Sequence, residues 1–195
     1  RNQIYDKYKA NRPPAPEDLI PQFPLIRDAV KAFNVASIEQ EGFEADDLIA
    51  TYARQAVQAG GDVTIISSDK DLMQLIEPGV VMLDTMKNLR IDMAEVAEKF
   101  GVTPDLVGDV LALMGDSADN IPGIRGIGPK TATKLIQENG TLEAVLAAAP
   151  EMKPGKLRDS LIEQADMARL SRVLVQLRED CPLPIPLEDF ELGAI

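Results

Sequence analysis

The apolar positions of the chain change period along its length. Leu25, Ile26, Ala29, Val30 and Phe33 form a helical stripe. Val35 to Ile38 reads as a short strand. Residues 45–59 read as a second helix, with Leu48, Ile49, Tyr52, Ala53, Ala56 and Val57 on one face and Gly60-Gly61 ending it. Residues 62–68, containing Val63-Thr64-Ile65-Ile66, have the short apolar run of a buried strand. A short helix over 71–75 and a strand over 80–84 follow. Helix, strand, helix, strand predicts an α/β layer on a parallel sheet.

From Met93 onward strand signals nearly vanish. The spacing predicts helices at 93–100, 104–114, 129–138, 141–148, 155–164 and 166–176. Pro182, Pro184 and Pro186 turn the end into an extended tail. The expected organisation is an α/β part over 1–95 and a helical part over 96–195, with no repeat of fixed period. At the start, Ile4, Tyr5 and Tyr8 lie at helical spacing, as in a running helix. Pro13, Pro14, Pro16, Pro21 and Pro24 then break regular structure, so residues 1–24 read as a helix leading into an exposed loop or clamp, or into a plain linker. The chain opens at Arg1 rather than Met, so its start reads as a cut edge and the chain as a piece of a longer protein.

Composition narrows the chemistry. Among 195 residues, 45% are hydrophobic and only 4% aromatic, with no Trp, so the core must be aliphatic. No apolar run approaches the length that crosses a bilayer, and no signal peptide is visible, so no membrane partner is expected. A single Cys, Cys181, excludes an internal disulfide and fits a reducing cytosol. The absence of His excludes a Ser-His-Asp triad, a His general base and a His-ligated zinc site. Carboxylates are plentiful, which directs any metal chemistry to Mg2+ or Mn2+. A net charge of −12 argues against a nucleic-acid partner, yet positive charge gathers at Arg1, Lys7, Lys9 and Arg12 and again at Arg125, Lys130 and Lys134.

Three acidic groups stand out: Glu44-Ala45-Asp46-Asp47 at a helix start, Asp69-Lys70-Asp71 just past a strand, and Asp116 with Asp119. Each has a plain explanation, since acids at helix starts cap the helix and suit its dipole, worth about 0.3–1 kcal/mol. The position of Asp69 and Asp71 favours a site, because ligands of open parallel sheets bind at the carboxyl ends of strands. Convergence of the three groups would make a two-ion centre with ions about 3.5–4 Å apart. Next to the last pair comes Pro122-Gly123-Ile124-Arg125-Gly126-Ile127-Gly128-Pro129-Lys130-Thr131-Ala132. Here Pro129 is a good first helical residue, and the glycines let backbone approach a phosphate. A helix-hairpin-helix turn of this kind grips the DNA backbone through amides and nearby Lys or Arg; a tight helix–helix turn uses the same glycines structurally.

Glu44-Ala45-Asp46-Asp47, Ser68-Asp69-Lys70-Asp71 and Leu113-Met114-Gly115-Asp116-Ser117-Ala118-Asp119-Asn120-Ile121-Pro122-Gly123 resemble, in order and spacing, the 5′-nuclease domain of bacterial DNA polymerase I, within the flap endonuclease or 5′–3′ exonuclease superfamily related to PIN-like nucleases. Tyr8-Lys9-Ala10-Asn11-Arg12-Pro13-Pro14 also resembles a segment of those enzymes, and the similarity covers nearly the whole chain. The resemblance implies a PIN-like core with arch segment 1–24 and first strands missing, then a helix–three-turn–helix element at 115–138. It implies two Mg2+ or Mn2+ ions on Glu44, Asp46, Asp47, Asp69, Asp71, Asp116 and Asp119, with Arg1, Asp69 and Asp116 serving the reaction. It matches Arg1, and after it Lys9 and Arg12, to a basic gateway, and Gly123, Arg125, Gly126, Gly128, Lys130, Thr131 and Lys134 to a duplex grip whose turn holds K+. The implied activity is removal of 5′ flaps and RNA primers at branched DNA and RNA–DNA junctions. The implied setting is a monomer joined to polymerase domains in the bacterial cytoplasm, at the nucleoid. Because the family begins with two carboxylate-bearing strands upstream of Arg1, the fragment alone is expected to be poorly active or inactive.

Two other readings stay open from the sequence. One is a non-catalytic module that grips branched DNA; the seven retained carboxylates count against it, since they repel phosphate. The other is a PIN-type ribonuclease, whose short chain lacks the element at 115–134.

Overall fold

The structure is a computed structural model that describes residues 1–190. The chain divides into two compact units, one made of Arg1–Arg12 with Asp62–Leu177, the other of Pro13–Gly61 with the chain from Arg178 on.

In the first unit, β1 (Val63–Ile66) pairs in parallel with β2 (Val80–Asp84), with Val63 opposite Val80 and Ile66 opposite Leu83. Between them a 3₁₀ turn, Lys70–Leu75, takes the place of the α-helix predicted over 71–75. Strand β2 alternates as its sequence dictates, burying Val80, Met82 and Asp84 and half-exposing Val81 and Leu83. A third strand, β3 (Leu89–Ile91), adds antiparallel to β2. The hydrophobic pattern does not reveal it, because it is three residues long and exposes Leu89 and Arg90. The sheet is therefore mixed rather than parallel throughout.

Helices complete the unit: α3 (Met93–Phe100), α4 (Pro104–Met114), α5 (Pro129–Asn139), α6 (Leu142–Ala148), α7 (Lys156–Glu163) and α8 (Ala165–Val175). Each lies within a residue or so of its predicted span. The capping box of Asp92 with Glu95 starts α3, and Gly101 in the left-handed region ends it. The centre of the unit is α4, whose Val107, Val110, Leu111, Ala112 and Leu113 are all buried. A helix that buries this much of its surface must be covered on several sides, and α4 packs against α8, α5, α3, α6 and the 3₁₀ turn. Gly108 allows a close approach, since a Cβ there would stand 2.7 Å from Gln74 Oε1 and 3.1 Å from Arg172 Cζ.

In the second unit, α1 (Gln22–Ala32) buries no residue and leaves Phe23, Leu25 and Ile26 exposed. It starts earlier than its stripe suggested, with Pro24 in the first turn, where the missing N–H has no intrahelical partner to lose. The strand expected over Val35 to Ile38 does not form; that stretch has no regular structure. Helix α2 (Ala45–Gln58) starts with a capping box of Glu44 and Asp47. The segment around Cys181 and Ile185 is held on α2 by the Cys181 N–H donating to Thr51 Oγ1 at 3.2 Å and the Tyr52 hydroxyl donating to the Ile185 carbonyl at 2.7 Å. The tail is not wholly extended, since Leu187–Asp189 makes a 3₁₀ turn and Phe190 meets Tyr52 edge-on.

Residues 1–12 differ most from the pattern. The running helix suggested by Ile4, Tyr5 and Tyr8 is a series of tight turns, with Lys9 at φ 55°. Tyr8 is buried against distant parts of the first unit, and those long-range contacts override the local helical spacing.

Candidate metal centre and phosphate-gripping turn

The acidic group Asp69-Lys70-Asp71 sits just past the end of β1. The Asp69 N–H donates to Ser67 Oγ at 3.0 Å, and Asp69 Oδ1 accepts the Asp71 N–H at 3.0 Å, which starts the 3₁₀ turn. That turn buries Leu72 and Met73 and brings Asp71 inward. The Asp71 Oδ1 atom is buried and accepts no hydrogen bond. Burial pushes the Asp71 carboxyl up to about 6; the Lys70 ammonium opposes this, and the charges of Asp69, Asp116 and Asp119 add to it.

The second acidic pair lies on the loop that leaves α4. Asp116 and Ile121 exchange both backbone hydrogen bonds, at 2.9 and 2.7 Å, closing a tight loop. Asp116 Oδ1 accepts the Ala118 N–H at 2.8 Å, and Asp116 Oδ2 accepts from Lys70 Nζ. Both ends of the loop are glycines for a steric reason. Gly115 and Gly123 have φ of 73° and 59°, and a Cβ on Gly123 would fall 2.3 Å from Gly115 N. Asp69, Asp71, Asp116 and Asp119 thus share one neighbourhood of the first unit, with Lys70 among them.

Asp119 also clasps residues 7–12. Its carboxylate accepts from the Tyr8 hydroxyl at 3.2 Å and from Arg12, and Lys9 Nζ lies 3.6 Å away. The Lys9 N–H donates to the Asp119 carbonyl at 2.9 Å, Asn11 Nδ2 to the Ser117 carbonyl at 2.7 Å, and Asn120 Nδ2 to the Lys7 carbonyl at 2.7 Å. Lys9 and Arg12, expected as gateway residues, are therefore held beside the carboxylates. Arg1 is placed at the end of α8, donating to the Leu174 and Gln176 carbonyls at 2.8 Å each.

Glu44, Asp46 and Asp47 belong to the second unit. Asp47 is buried, and its oxygens accept the N–H of Glu44 at 3.3 Å and of Arg178 at 3.0 Å. That is capping and tail-anchoring work, the plain alternative for this group. Among the described residues no three carboxylates close up tightly enough to hold an ion by themselves. The oxygen-only donors of the first unit nevertheless suit a hard divalent cation. The Asp71 oxygen that is buried and accepts no hydrogen bond, and the burial and mutual repulsion that lift its pKa, are what such a cation relieves.

The glycine-rich turn runs from Gly123 to the start of α5. Ile124 and Ile127 are buried and anchor it, the Ile124 N–H donating to the Leu113 carbonyl at 2.8 Å and the Gly123 N–H to Ser171 Oγ at 3.0 Å. Arg125, Gly126, Gly128 and Lys130 face outward. A Cβ on Gly126 or Gly128 would meet nothing within 4 Å, so this backbone is open to an approaching strand. Gly128 precedes Pro129, which starts α5 and leaves the first N–H groups pointing out. Thr131 and Arg125 also line an open concavity of about 740 Å³, whose other wall is Lys156, Leu157 and Ser160 of α7. Lys134 is exposed on the next turn of α5, 3.7 Å from Glu138.

Sequence reasoning missed Lys70, Tyr8 and Asn120. Lys70 had a visible signal, being flanked by two aspartates at a strand end. Tyr8 and Asn120 act across more than a hundred residues of chain, so no local pattern marks them.

An α/β layer with carboxylates past the end of β1 is followed in the chain by a helical region whose α4 and α5 are linked by the acidic loop and the glycine-rich turn. The N-terminal resolvase-like domain of 5′-3′ exonucleases matches residues 1–101, and the 5′-3′ exonuclease C-terminal SAM fold matches residues 102–195. This chain belongs to the 5′-3′ exonuclease family. It is 57% identical over 188 residues to DNA polymerase I of Rhizobium leguminosarum, covering 96% of this chain and 18% of that protein. It is 40% identical over 193 residues to flap endonuclease Xni of Shewanella sp. (strain ANA-3), covering 99% of this chain and 74% of that protein. The chain spans about a fifth of the length of the DNA polymerase I relatives it matches (18% and 22% for two of them). Among solved structures, T5 5′-exonuclease with bound divalent zinc superposes with a TM-score of 0.79 at 23% identity, covering 89% of this chain and 68% of that one. The catalytic core of Rad2 in complex with DNA substrate gives 0.54 at 16%, covering 91% and 62%. At these identities the likeness is one of fold.

Proposed function

We propose that this chain is the 5′-nuclease portion of a bacterial DNA polymerase I and hydrolyses phosphodiester bonds at 5′ flaps and RNA primers. The observation that carries the reading is the gathering of Asp69 and Asp71, past the end of β1, with Asp116 and Asp119, on the loop that leads into the glycine-rich turn. The identity to flap endonuclease Xni and to DNA polymerase I supports it.

Two Mg2+ or Mn2+ ions, held by the carboxylates of Asp69, Asp71, Asp116 and Asp119, would supply water activation and steady the leaving oxygen. The chain's own residues do the rest. Asp69 orients Asp71 through the 3₁₀ turn, and the bridge of Asp116 with Ile121 fixes the direction of the second carboxylate pair. Arg125, Lys130 and Lys134, with the open amides of Gly126 and Gly128, grip duplex phosphates without reading sequence. Lys9 and Arg12, beside Asp119, steer the 5′ strand toward the carboxylates. A K+ ion at the carbonyls of the turn, a contribution from Glu44, Asp46 and Asp47, linked polymerase domains, a monomeric state and a place in the bacterial cytoplasm belong to the same reading.

The test is cleavage of a 5′-labelled flap duplex by the protein at its full natural length, in Mg2+ and in EDTA. Cutting only with metal, abolished by Asp116→Ala while flap binding persists, is the expected result. Equal loss of binding and cutting in Asp116→Ala would sink the ligand assignment, and flap binding without cutting in wild type would favour a pure binding module.

A further inference from the structure

Lys70 carries the one positive charge placed among the strand-end carboxylates by their own segment, and its side chain points into them. Its Nζ donates to Asp116 Oδ2 and lies 3.7 Å from Asp71 Oδ1. These two oxygens come from different segments, the turn after β1 and the loop after α4, and the ammonium is the group that joins them. A structural ion pair normally completes the hydrogen bonding of its acceptors. Here Asp71 Oδ1 stays buried and accepts no hydrogen bond. The lysine compensates charge without completing the coordination that these oxygens can offer. A hard divalent cation needs about six oxygen ligands at short distance, and an ammonium held against these carboxylates repels it and competes for their lone pairs. The lysine stem is flexible and 31% exposed, so the head has a route out to solvent.

We propose that Lys70 is the resident counter-cation of this cluster: its ammonium bridges Asp71 and Asp116 in the metal-free protein and must swing away before a divalent ion can take those oxygens. Lys70 thereby sets the divalent-cation concentration at which the site fills. The inference rests on the metal-site reading given above.

The test is Mn2+ binding measured by titration calorimetry on the protein at its full natural length, as wild type, Lys70→Met and Lys70→Arg. Removing the competing charge is expected to tighten Mn2+ binding about ten-fold. It is also expected to lower the melting temperature without metal and to widen the gap between metal-free and Mn2+-saturated melting. Lys70→Arg, which keeps the charge, is expected to stay near wild type. Should Lys70→Met not fold, Lys70→Gln gives the same readout. Unchanged or weaker Mn2+ binding in the neutral variant overturns the displacement while leaving the metal site standing. A folded wild type that binds no Mn2+ overturns both.

Discussion

Arg172 on α8 donates through Nε to Asp109 Oδ1 on α4 at 2.6 Å, and the other oxygen of Asp109 accepts the Leu142 N–H at 2.9 Å. One buried carboxylate therefore ties three helices together. Asp109→Ala would strand the Arg172 charge and the first N–H of α6, at a cost of roughly 3 kcal/mol. Arg172→Met should cost less than Asp109→Ala, because the stem still packs and the Leu142 N–H keeps its partner. The double variant should lose less than the sum of the singles, measured by urea unfolding. Full additivity would mean that the pair does not act as a unit.

Asp71 gives the metal-free protein a defined pH dependence. Its folded pKa, about 6, lies above the ordinary aspartate value of 3.8, so the fold favours the protonated form. Its contribution to stability is thus largest below about pH 4 and is lost as pH rises through 6. Urea midpoints in EDTA should fall between pH 4.5 and 7, and Asp71→Asn should flatten that slope. A slope unaffected by the substitution would assign the effect to other groups.

The two classes of glycine around the turn should behave differently. Gly123→Ala drives a Cβ into Gly115 backbone at φ 59°, so it should destabilise by well over 2 kcal/mol and disorder the Asp116 loop. Gly126→Ala meets no atom and pays only for its φ of 90°, about 1–2 kcal/mol. Its larger effect should be on DNA binding. Thermal melts and fluorescence anisotropy with a flap duplex separate the two; equal melting temperatures for both variants would contradict the geometry.

Lys130→Ala and Lys134→Ala should weaken duplex binding for all sequences alike. Each should reduce the slope of log K against log salt by about 1. Lys134 spends part of its charge on Glu138, so its effect should be the smaller. An unchanged salt slope in both would remove α5 from the DNA-facing surface.

The long, strongly periodic segments were readable in advance. Helices α2 to α8 and strands β1 and β2 announce themselves because burial imposes a 3.6- or 2-residue repeat. The carboxylates at 69, 71, 116 and 119 were visible as candidate ligands that could equally cap helices, and what the sequence could not show is that they share one neighbourhood. The turns of residues 1–12 were not, because their conformation depends on Tyr8 reaching Asp119 across 111 residues. Asp47 looked more like a cap than a ligand from its place at a helix start, and only the resemblance made it a ligand; its hydrogen bond to Arg178, 131 residues on, is invisible to any local window. Strand β3 is too short and too exposed to carry a period.

The mutual approach of Gly115 and Gly123 has a consequence for the proposed nuclease. Because the two glycines are in backbone contact, the carboxylates between them and the phosphate grip that follows are parts of one stiff loop. If the turn grips duplex as proposed, the span from it to the reacting bond would be a fixed length of main chain, a ruler rather than a hinge. The position of the cut along a strand would be inherited from the number of residues in that loop, not from the bases that pass through it.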